Sequence, residues 1–254
     1  MPDLKKKYNF DYFKKLYDTS SLKDFKYVYI YSDFRFILGQ NLDEINDFLK
    51  KFILLFLKNN QTLIVPTFSY SKDKFEITKT KSKVGFFSNY LLSLKESVRS
   101  EHPIFSYTAL GINKKIVENI GKSAFGDNSM HQRLLFENCC FLHLGRDLSD
   151  GNTMVHHVEQ NLNASYRFDK VFKSKVYLKN KYLGKNYSAY VRKNNKKKTF
   201  FSFKKIIKKI KKEKFINYLN NNKGLKSFFY YSYDEMYFFL HRQYLEDRNI
   251  FLQN

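Results

Sequence analysis

The chain has 254 residues, 43% of them hydrophobic, which is enough to fill the core of a globular protein. The formal net charge is +22, and residues 173–214 hold seventeen Lys or Arg against one acid, Glu213, so anionic partners are favoured over cationic ones. The longest apolar run, at 52–57, is too short to cross a bilayer, and the start of the chain has no signal-peptide core, so we expect a cytoplasmic protein.

The first half of the chain predicts strand, helix and strand in that order. β-branched and aromatic residues at 26–31 and at 61–65 are typical of strands, and residues 42–59 between them are apolar at helical spacing. A further apolar run, 139–145, predicts a third buried strand. Its adjacent cysteines, Cys139 and Cys140, are poorly placed for a mutual disulfide, and we interpret them as small buried side chains.

The stretch GNTMVHHVEQ at 151–160 follows this strand and predicts a helix with Asn152 as its N-cap. Alternating strands and helices of this kind predict an α/β fold, a three-layer α/β/α sandwich around a central mixed sheet. Ligands of such folds bind at loops beyond the strand ends.

The last third of the chain predicts a small C-terminal lobe. Residues 176–193 suggest a hairpin that turns at Leu183–Asn186, followed by Lys-rich sequence. We therefore assign 1–172 to a catalytic core and 173–254 to a basic substrate lobe with helices that pack back on the core. One predicted helix there sets its apolar residues roughly on one face: Phe203, Ile206, Ile207, Ile210 and Phe215.

Within the helix after 151, His156 and Glu159 are three residues apart and share a face, whereas His157 points about 100° away. A carboxylate beside an imidazole fixes its tautomer and stabilises the imidazolium, which suits a general base. The alternative is an ordinary His/Glu pair that stabilises the helix by about 0.2–0.5 kcal/mol. These ten residues alone leave both interpretations open.

Common nucleotide, hydrolase and zinc-protease motifs are absent from the sequence: GxGxxG, GxxxxGK[ST], GxSxG and HExxH. His143, His156, His157, Asp147 and Asp150 could be combined into a metal site. Carboxylates and histidines near a loop are common, however, and we predict no metal.

Seven blocks of sequence follow one another in a fixed order between about residues 25 and 170. They are Ile30–Phe34 with Leu38-Gly39, TLIVPTFSYS at 62–71, Thr80–Gly85, RSEHPIFSYTALG at 99–111, Phe125–Ser129, Phe141–Gly145 and Asn152–Glu159. In content, order and spacing these blocks resemble the aminoglycoside 3-N-acetyltransferases, antibiotic N-acetyltransferases that use acetyl-CoA and are distinct from the GNAT fold. A weaker similarity continues to the end of the chain.

The resemblance implies direct transfer of acetyl from the CoA thioester to a primary amine, with no metal and no acyl-enzyme. It makes His156 the general base and Glu159 the group that orients His156 and stabilises its charge. Thr153 or a backbone N–H would receive the developing oxyanion.

The resemblance also implies a CoA channel of hydroxyls, main-chain amides and cations. Its predicted members are Ser32, Asp33, Phe34, Thr67, Phe68, Thr80, Ser82, Lys83, Val84, Gly85, Arg99 and Ser100. Each hydroxyl is equally open to interpretation as a turn or strand contact. We predict Tyr70, His102 and Asn152 at the substrate, although His102 before a proline also suits a structural role.

Several positions depart from the family pattern. Tyr31 replaces the usual His, Asp33 a Ser, Lys81 a Pro and Met130 a Pro. The first two lie in the implied cofactor segment, so side-chain contacts there differ from those of the family, whereas backbone contacts can persist.

The charge guides the choice of amine. A protein of +22 repels polycations, so we favour a nucleotide-linked amino-dideoxy sugar for surface glycan synthesis, with an aminoglycoside as the alternative. The Lys-rich segment 193–214 leaves peripheral membrane association open, and a homodimer is also left open. Nucleic-acid binding is the alternative of another class, but helical Phe and Ile spacing fits core packing better than base stacking, and we predict no nucleic-acid partner.

Overall fold

The computed structural model describes residues 9–34, 42–148, 152–193, 201–210, 212–220 and 227–253. A mixed sheet of seven strands lies at its centre, with helices on both faces, which confirms the predicted three-layer α/β/α sandwich. The strands of this sheet are β1 (Tyr27–Ser32), β2 (Thr62–Pro66), β4 (Val98–Arg99), β5 (Tyr107–Leu110), β6 (Cys139–Leu144), β11 (Asn217–Tyr218) and β12 (Phe228–Ser232).

These strands are ordered β11-β12-β6-β1-β2-β5-β4 across the sheet. β1 runs parallel to both β2 and β6, and Tyr27 is in register with Thr62 on one side and Cys139 on the other. The other pairings are antiparallel. The carboxyl ends of β6, β1 and β2 therefore meet at one edge of the sheet, where their loops can form a shared site.

Two apolar layers cover the sheet because its strands alternate in the direction of their side chains. Val28 and Ile30 of β1 pack on one face, and Tyr29 and Tyr31 on the other. Helices α1 (Phe10–Asp18), α2 (Leu42–Lys58) and α3 (Phe86–Ser93) cover the first face. The second is covered by α4 (Met130–Leu134), α5 (Met154–Asn161), α6 (Lys204–Ile210) and α7 (Tyr233–Glu246).

The small lobe contains a three-stranded sheet and a two-stranded ribbon. Its strands are β3 (Lys74–Glu76), β7 (Arg167–Phe172), β8 (Lys175–Leu178), β9 (Lys181–Gly184) and β10 (Tyr187–Arg192). β3 pairs with β8 although it comes from the first half of the chain, and β12 returns from the last part to the central sheet. The segments 1–172 and 173–254 therefore exchange elements.

The predicted turn at Leu183–Asn186 is wrong. β8 and β9 form the hairpin, and it turns at Lys179–Asn180, whose φ angles are 49° and 67°. Two successive residues with positive φ give the turn whose twist matches a two-residue hairpin, and Asn tolerates that conformation. At 185–186 the chain instead crosses from β9, which pairs with β8, to β10, which pairs with β7.

Two further predictions concern burial. Phe203, Ile206 and Ile210 are buried against the second face of the sheet, and Ile207 and Phe215 are partly buried there. Phe203 and Phe215 nevertheless lie outside α6, so the helical spacing predicted only part of this set. Cys139 and Cys140 are free thiols and are buried, as the apolar run around them predicted. Within the described part of the chain, every helix is too short or too polar to cross a lipid bilayer.

Candidate active site

A cavity of about 1130 Å³ opens where the carboxyl ends of β1 and β2 meet. α3 begins beside it, and the residue before α5 also contributes to its wall. Open α/β sheets bind ligands at this position, next to the strand from which the connections diverge. The lining residues are Ile30, Tyr31, Ser32, Asp33, Phe34, Ile45, Pro66, Phe68, Tyr70, Ser82, Lys83, Val84, Gly85, Phe86, Phe87, Ser88, Asn89, Phe105, Arg146, Thr153 and His156.

His156 lies in the first turn of α5 and reaches the cavity wall with 24% of its side chain exposed. Its Nδ1 is 2.7 Å from Oε2 of Glu159, one helical turn further on, whose side chain is fully buried. Because the carboxylate can only accept, Nδ1–H donates to it, and in the neutral imidazole Nε2 then carries the lone pair that a base needs. The pairing predicted from the spacing is thus present, with the imidazole between the carboxylate and the cavity.

Two further residues hold Glu159, and neither was singled out from the sequence. Tyr166 donates its hydroxyl proton to Oε1 at 2.9 Å, and Arg167 Nε forms an ion pair with Oε2 at 2.6 Å. Burial would raise the pKa of Glu159, but the hydrogen bond and charge of His156 and the charge of Arg167 outweigh it and lower the pKa. The only sequence signal was the stretch SYRF at 165–168, shortly after the predicted helix.

Thr153 occupies the helix N-cap position, which corrects the prediction of Asn152 as N-cap. α5 begins at Met154, and the Thr153 side chain makes no capping hydrogen bond. Its Oγ1 instead lies 3.2 Å from the hydroxyl of Tyr31 and 3.0 Å from Nε2 of His131. Those buried partners compete with the cap, so the Thr153 hydroxyl is held at the cavity wall.

Eight of the residues predicted for the CoA channel line this cavity, and so does Tyr70. They come from the end of β1 and its loop, from the end of β2, and from the loop before α3: Ser32, Asp33, Phe34, Phe68, Ser82, Lys83, Val84 and Gly85. That last loop is held by its own backbone, because Lys83 N–H donates to the Phe68 carbonyl at 2.7 Å. Ser82 N–H donates to the amide oxygen of Asn89 at 2.9 Å.

Four predicted channel residues lie outside the lining: Thr67, Thr80, Arg99 and Ser100. Arg99 is buried and donates to the Thr67 carbonyl at 2.6 Å, to the Ile77 carbonyl at 3.1 Å and to Ser106 Oγ at 3.1 Å. Burial lowers the pKa of Arg99 to about 9. These hydrogen bonds join the loops that contain Thr67, Ile77 and Ser106. The guanidinium therefore points at protein oxygens and away from the cavity lining.

His102 and Asn152, predicted at the substrate, also lie outside the lining. His102 Nε2–H donates to the Ser188 carbonyl at 3.0 Å, and Nδ1 accepts the backbone N–H groups of Ile104 and Phe105. Burial lowers the pKa of His102 to about 4, so it is neutral and supports the loop. Asn152 donates to the hydroxyl of Tyr231 at 3.4 Å and is 5% exposed.

Among the lining residues that sequence reasoning did not assign are Ser88, Asn89, Phe105 and Arg146. Arg146 follows the predicted strand directly and lies 3.9 Å from Asp33. Ser88 and Asn89 belong to the first turn of α3, just after a recognised block. Their proximity to the blocks was the only available signal.

The histidines considered for a metal site are separated in the structure, and Asp150 lies outside the described residues. His157 Nδ1–H donates to the Phe125 carbonyl in the core, and His143 is buried against Tyr231. The residues that the structure describes contain no group of three or more His, Cys, Asp or Glu side chains placed to hold a metal ion.

Three structures from the search of solved proteins share the fold. AAC-IIIb in a binary complex with CoASH has a TM-score of 0.74 at 13% identity, covering 94% of this chain and 97% of that chain. AAC-VIa bound to sisomicin has a TM-score of 0.74 at 13% identity, covering 94% and 98%. YokD from Bacillus subtilis has a TM-score of 0.70 at 17% identity, covering 96% and 100%.

The search of curated proteins finds no match. The family model described as aminoglycoside 3-N-acetyltransferase, however, matches residues 50–233. This range is more than half of the chain and includes the cavity-lining loop before α3, the strand β6 and the His156–Glu159 pair. The chain therefore belongs to the aminoglycoside 3-N-acetyltransferase family and is an N-acetyltransferase.

Proposed function

We propose that this enzyme transfers acetyl from acetyl-CoA directly to a primary amine of an amino sugar, with His156 as the general base. The observation that supports this most is the imidazole at the cavity wall, with Nδ1 2.7 Å from a buried carboxylate. The complex of AAC-IIIb with CoASH, a protein of the same fold, supports acetyl-CoA as the co-substrate.

In the proposed reaction the amine nitrogen attacks the thioester carbon, and a C–N bond forms. His156 Nε2 takes the proton that the amine loses, and Glu159 stabilises the imidazolium. The C–S bond then breaks, the acetyl group remains on nitrogen, and the CoA thiolate receives the proton from His156. The imidazole is returned to its starting state.

The thioester oxygen gains negative charge as the amine attacks. Thr153 is the hydroxyl that we propose as its hydrogen-bond donor, because its side chain lines the same cavity as His156 three residues away. A donor already held in place stabilises the transition state without reorganisation, an effect of about 10²–10³ in kcat for one such group.

The chemistry of the cavity wall suits the CoA chain. Ser32, Ser82 and Asn89 offer hydrogen bonds to the pantetheine amides, and the aromatic and aliphatic neighbours offer apolar contact. Lys83 and Arg146 are the cations in the wall that we propose for the phosphates.

For the acceptor we propose a nucleotide-linked amino-dideoxy sugar. The net charge of +22 supports an acceptor that carries a diphosphate. Such sugars are precursors of surface glycans. Electrostatic association with an anionic membrane, and a homodimer, are compatible additions to this proposal.

An aminoglycoside acceptor is supported by a different observation. A second cavity of about 390 Å³ lies along α5, lined by two carboxylates, Asp127 and Asp169, and by four side-chain amides. Carboxylates and amides suit the ammonium and hydroxyl groups of a polycationic sugar. AAC-VIa, a protein of the same fold, binds sisomicin.

The central test is His156→Ala. We expect kcat to fall by about 10²–10⁴, the usual contribution of a general base, while acetyl-CoA binding measured by calorimetry stays within about twofold. Release of CoA thiol would be followed with a panel of nucleotide-linked amino sugars and aminoglycosides. His157→Ala, a change of the adjacent buried histidine that lies outside the cavity lining, is the matched control. Near-full kcat in the His156→Ala variant would remove the base assignment.

A further inference from the structure

Buried polar side chains surround the hydroxyl of Thr153, and the mechanism above uses none of them. His131 in α4 is 0% exposed, and its Nε2 lies 3.0 Å from Thr153 Oγ1. The hydroxyl of Tyr107 lies 3.2 Å from the same nitrogen. The hydroxyl of Tyr31 lies 3.2 Å from Thr153 Oγ1. Nε2 of His131 is thus shared by two hydroxyl groups, one of which belongs to the cavity wall.

The opposite side of the ring indicates its tautomer. The Tyr233 hydroxyl lies 3.0 Å from the carbonyl oxygen of His131 and 2.8 Å from Nδ1. A carbonyl only accepts, so the phenol proton goes to the carbonyl and Nδ1–H donates to the phenol oxygen. Nε2 is left with its lone pair. Burial lowers the pKa of His131 well below its ordinary value, which keeps the ring neutral.

One lone pair cannot accept fully from two donors. If Thr153 donates to Nε2, its proton points away from the reacting thioester; if Tyr107 donates to Nε2, the Thr153 proton is available to the thioester. In both arrangements Tyr31 can donate to Thr153 Oγ1, and the Tyr29 hydroxyl, 3.4 Å away, can donate to Tyr31. A hydroxyl that accepts a hydrogen bond is a stronger donor, so this chain polarises Thr153.

We propose that His131 is a positioning residue whose Nε2 holds the Thr153 proton until the oxyanion forms, and that Tyr107 then takes over Nε2 while Thr153 donates to the oxyanion. The exchange is a rotation of two hydroxyl groups, in which no covalent bond forms or breaks. It keeps the buried Nε2 hydrogen-bonded throughout, which avoids the penalty of an unsatisfied buried acceptor. The inference rests on the oxyanion role of Thr153 in the proposed function.

A double-mutant cycle tests the coupling. Thr153→Val should lower kcat by about 10²–10³ with little change in the KM for acetyl-CoA. His131→Leu removes the buried partner that fixes the orientation of the Thr153 side chain, so it should lower kcat about tenfold in the native background and less than about twofold in the Thr153→Val background. Tyr107→Phe should lower kcat in the native background only.

Two further variants distinguish an effect of His131 on catalysis from an effect on the stability of the fold. His143→Leu also removes a fully buried imidazole from the second face of the sheet, one that stacks on the Tyr31 ring but hydrogen-bonds Tyr231 instead of Thr153. It should lower the melting temperature as much as His131→Leu does without the same loss of kcat. His131→Gln, whose side-chain oxygen can accept from Thr153, should restore part of the rate.

Nitrogen-15 spectra of histidine-labelled enzyme test the tautomer without activity. We expect a neutral His131 protonated on Nδ1 from pH 6.5, the ordinary pKa of histidine, upward, and a loss of this preference in Tyr233→Phe. An Nε2-protonated ring, or titration of His131 in this range, would overturn the inference. An equal effect of His131→Leu in both backgrounds would overturn it while leaving the oxyanion role intact. Full kcat in Thr153→Val would remove both.

Discussion

Glu159 keeps its charge in the protein interior because its carboxylate contacts three groups that can donate protons. His156, Tyr166 and Arg167 all lie within 3 Å of its two oxygens. An isolated buried carboxylate would be neutral, and a neutral partner would stabilise the imidazolium less. The proposed base at the cavity wall therefore depends on an arginine and a tyrosine that do not line the cavity.

At the scale of this residue we predict a pH-dependent stability difference. Because the folded-state pKa of Glu159 lies below its ordinary value of 4.5, its stabilisation is present above that value and is lost as pH falls through the folded pKa. Glu159→Gln should lower the free energy of unfolding at pH 7 by about 3–5 kcal/mol, the cost of breaking a buried pair. Urea denaturation at several pH values should show this difference shrinking below pH 4.5.

Arg167→Met is the companion variant, because it removes the cation and leaves the carboxylate buried. Its destabilisation should also be largest at neutral pH and should diminish in acid. If the loss in free energy of unfolding is the same from pH 7 to pH 3 for both variants, the ion pair does not contribute to stability.

At the scale of elements, the loop before α3 depends on one glycine. Gly85 has φ 77° and ψ 148°, a backbone conformation that costs about 1–3 kcal/mol for a residue with a side chain. The nearest atom to an added Cβ is Ser88 Oγ at 3.4 Å, so the cost is backbone strain and not a clash. The loop consequently takes its shape from a position that only glycine occupies without strain.

We expect Gly85→Ala to lower the free energy of unfolding by about 1–3 kcal/mol and to raise the KM for acetyl-CoA severalfold while kcat is retained. Gly184→Ala is the matched control, because Gly184 also has positive φ, 146°, but lies in the small lobe outside the cavity lining. It should lower stability alone. An unchanged KM in Gly85→Ala would argue against the loop as part of the CoA channel.

α6 shows how a Lys-rich helix can belong to the core. Phe203, Ile206 and Ile210 are buried, and Lys209 pairs with Glu246 of α7 at 3.1 Å. A helix whose apolar side chains are packed inside the protein cannot also insert them into lipid. Any membrane association of this segment would therefore act through charge.

If the protein associates with membranes, it should sediment with vesicles that contain anionic lipid at low salt. It should be released at about 0.5 M salt, because screening then limits electrostatic attraction to a few ångströms. Vesicles of neutral lipid should not bind. Salt-resistant binding to neutral vesicles would instead require an apolar insertion that the packing of α6 opposes.

At the scale of the whole molecule, the net charge distinguishes the two acceptor classes. A protein of +22 attracts a diphosphate-bearing sugar and repels a polycation over the Debye length. We expect kcat/KM for a nucleotide-linked amino sugar to fall as ionic strength rises from about 0.01 M to about 0.15 M, over which the Debye length falls from about 30 Å to about 8 Å. For an aminoglycoside it should rise. The opposite pair of trends would favour the Asp127 and Asp169 cavity as the acceptor site.

The sequence by itself determined the family, the α/β sandwich and the His156–Glu159 pair. The family was recognised from the order of seven sequence blocks. The strands and the pair are local features, because a strand is predicted from five or six residues and two residues three apart on a helix share a face whatever surrounds them. The hairpin was misplaced because two Gly- or Asn-containing turns lay a few residues apart, at 179–180 and 183–186, and only strand pairing distinguishes them.

Only the tertiary structure decided which polar residues reach the cavity. Arg99 and His102 stand in recognised blocks, yet their donors and acceptors are used by backbone groups from distant segments. Tyr166, Arg167 and His131 carry no motif, yet they hold Glu159 and Thr153. Their roles depend on contacts between residues far apart in the chain, and such contacts exist only once the sheet and its two layers of helices have assembled.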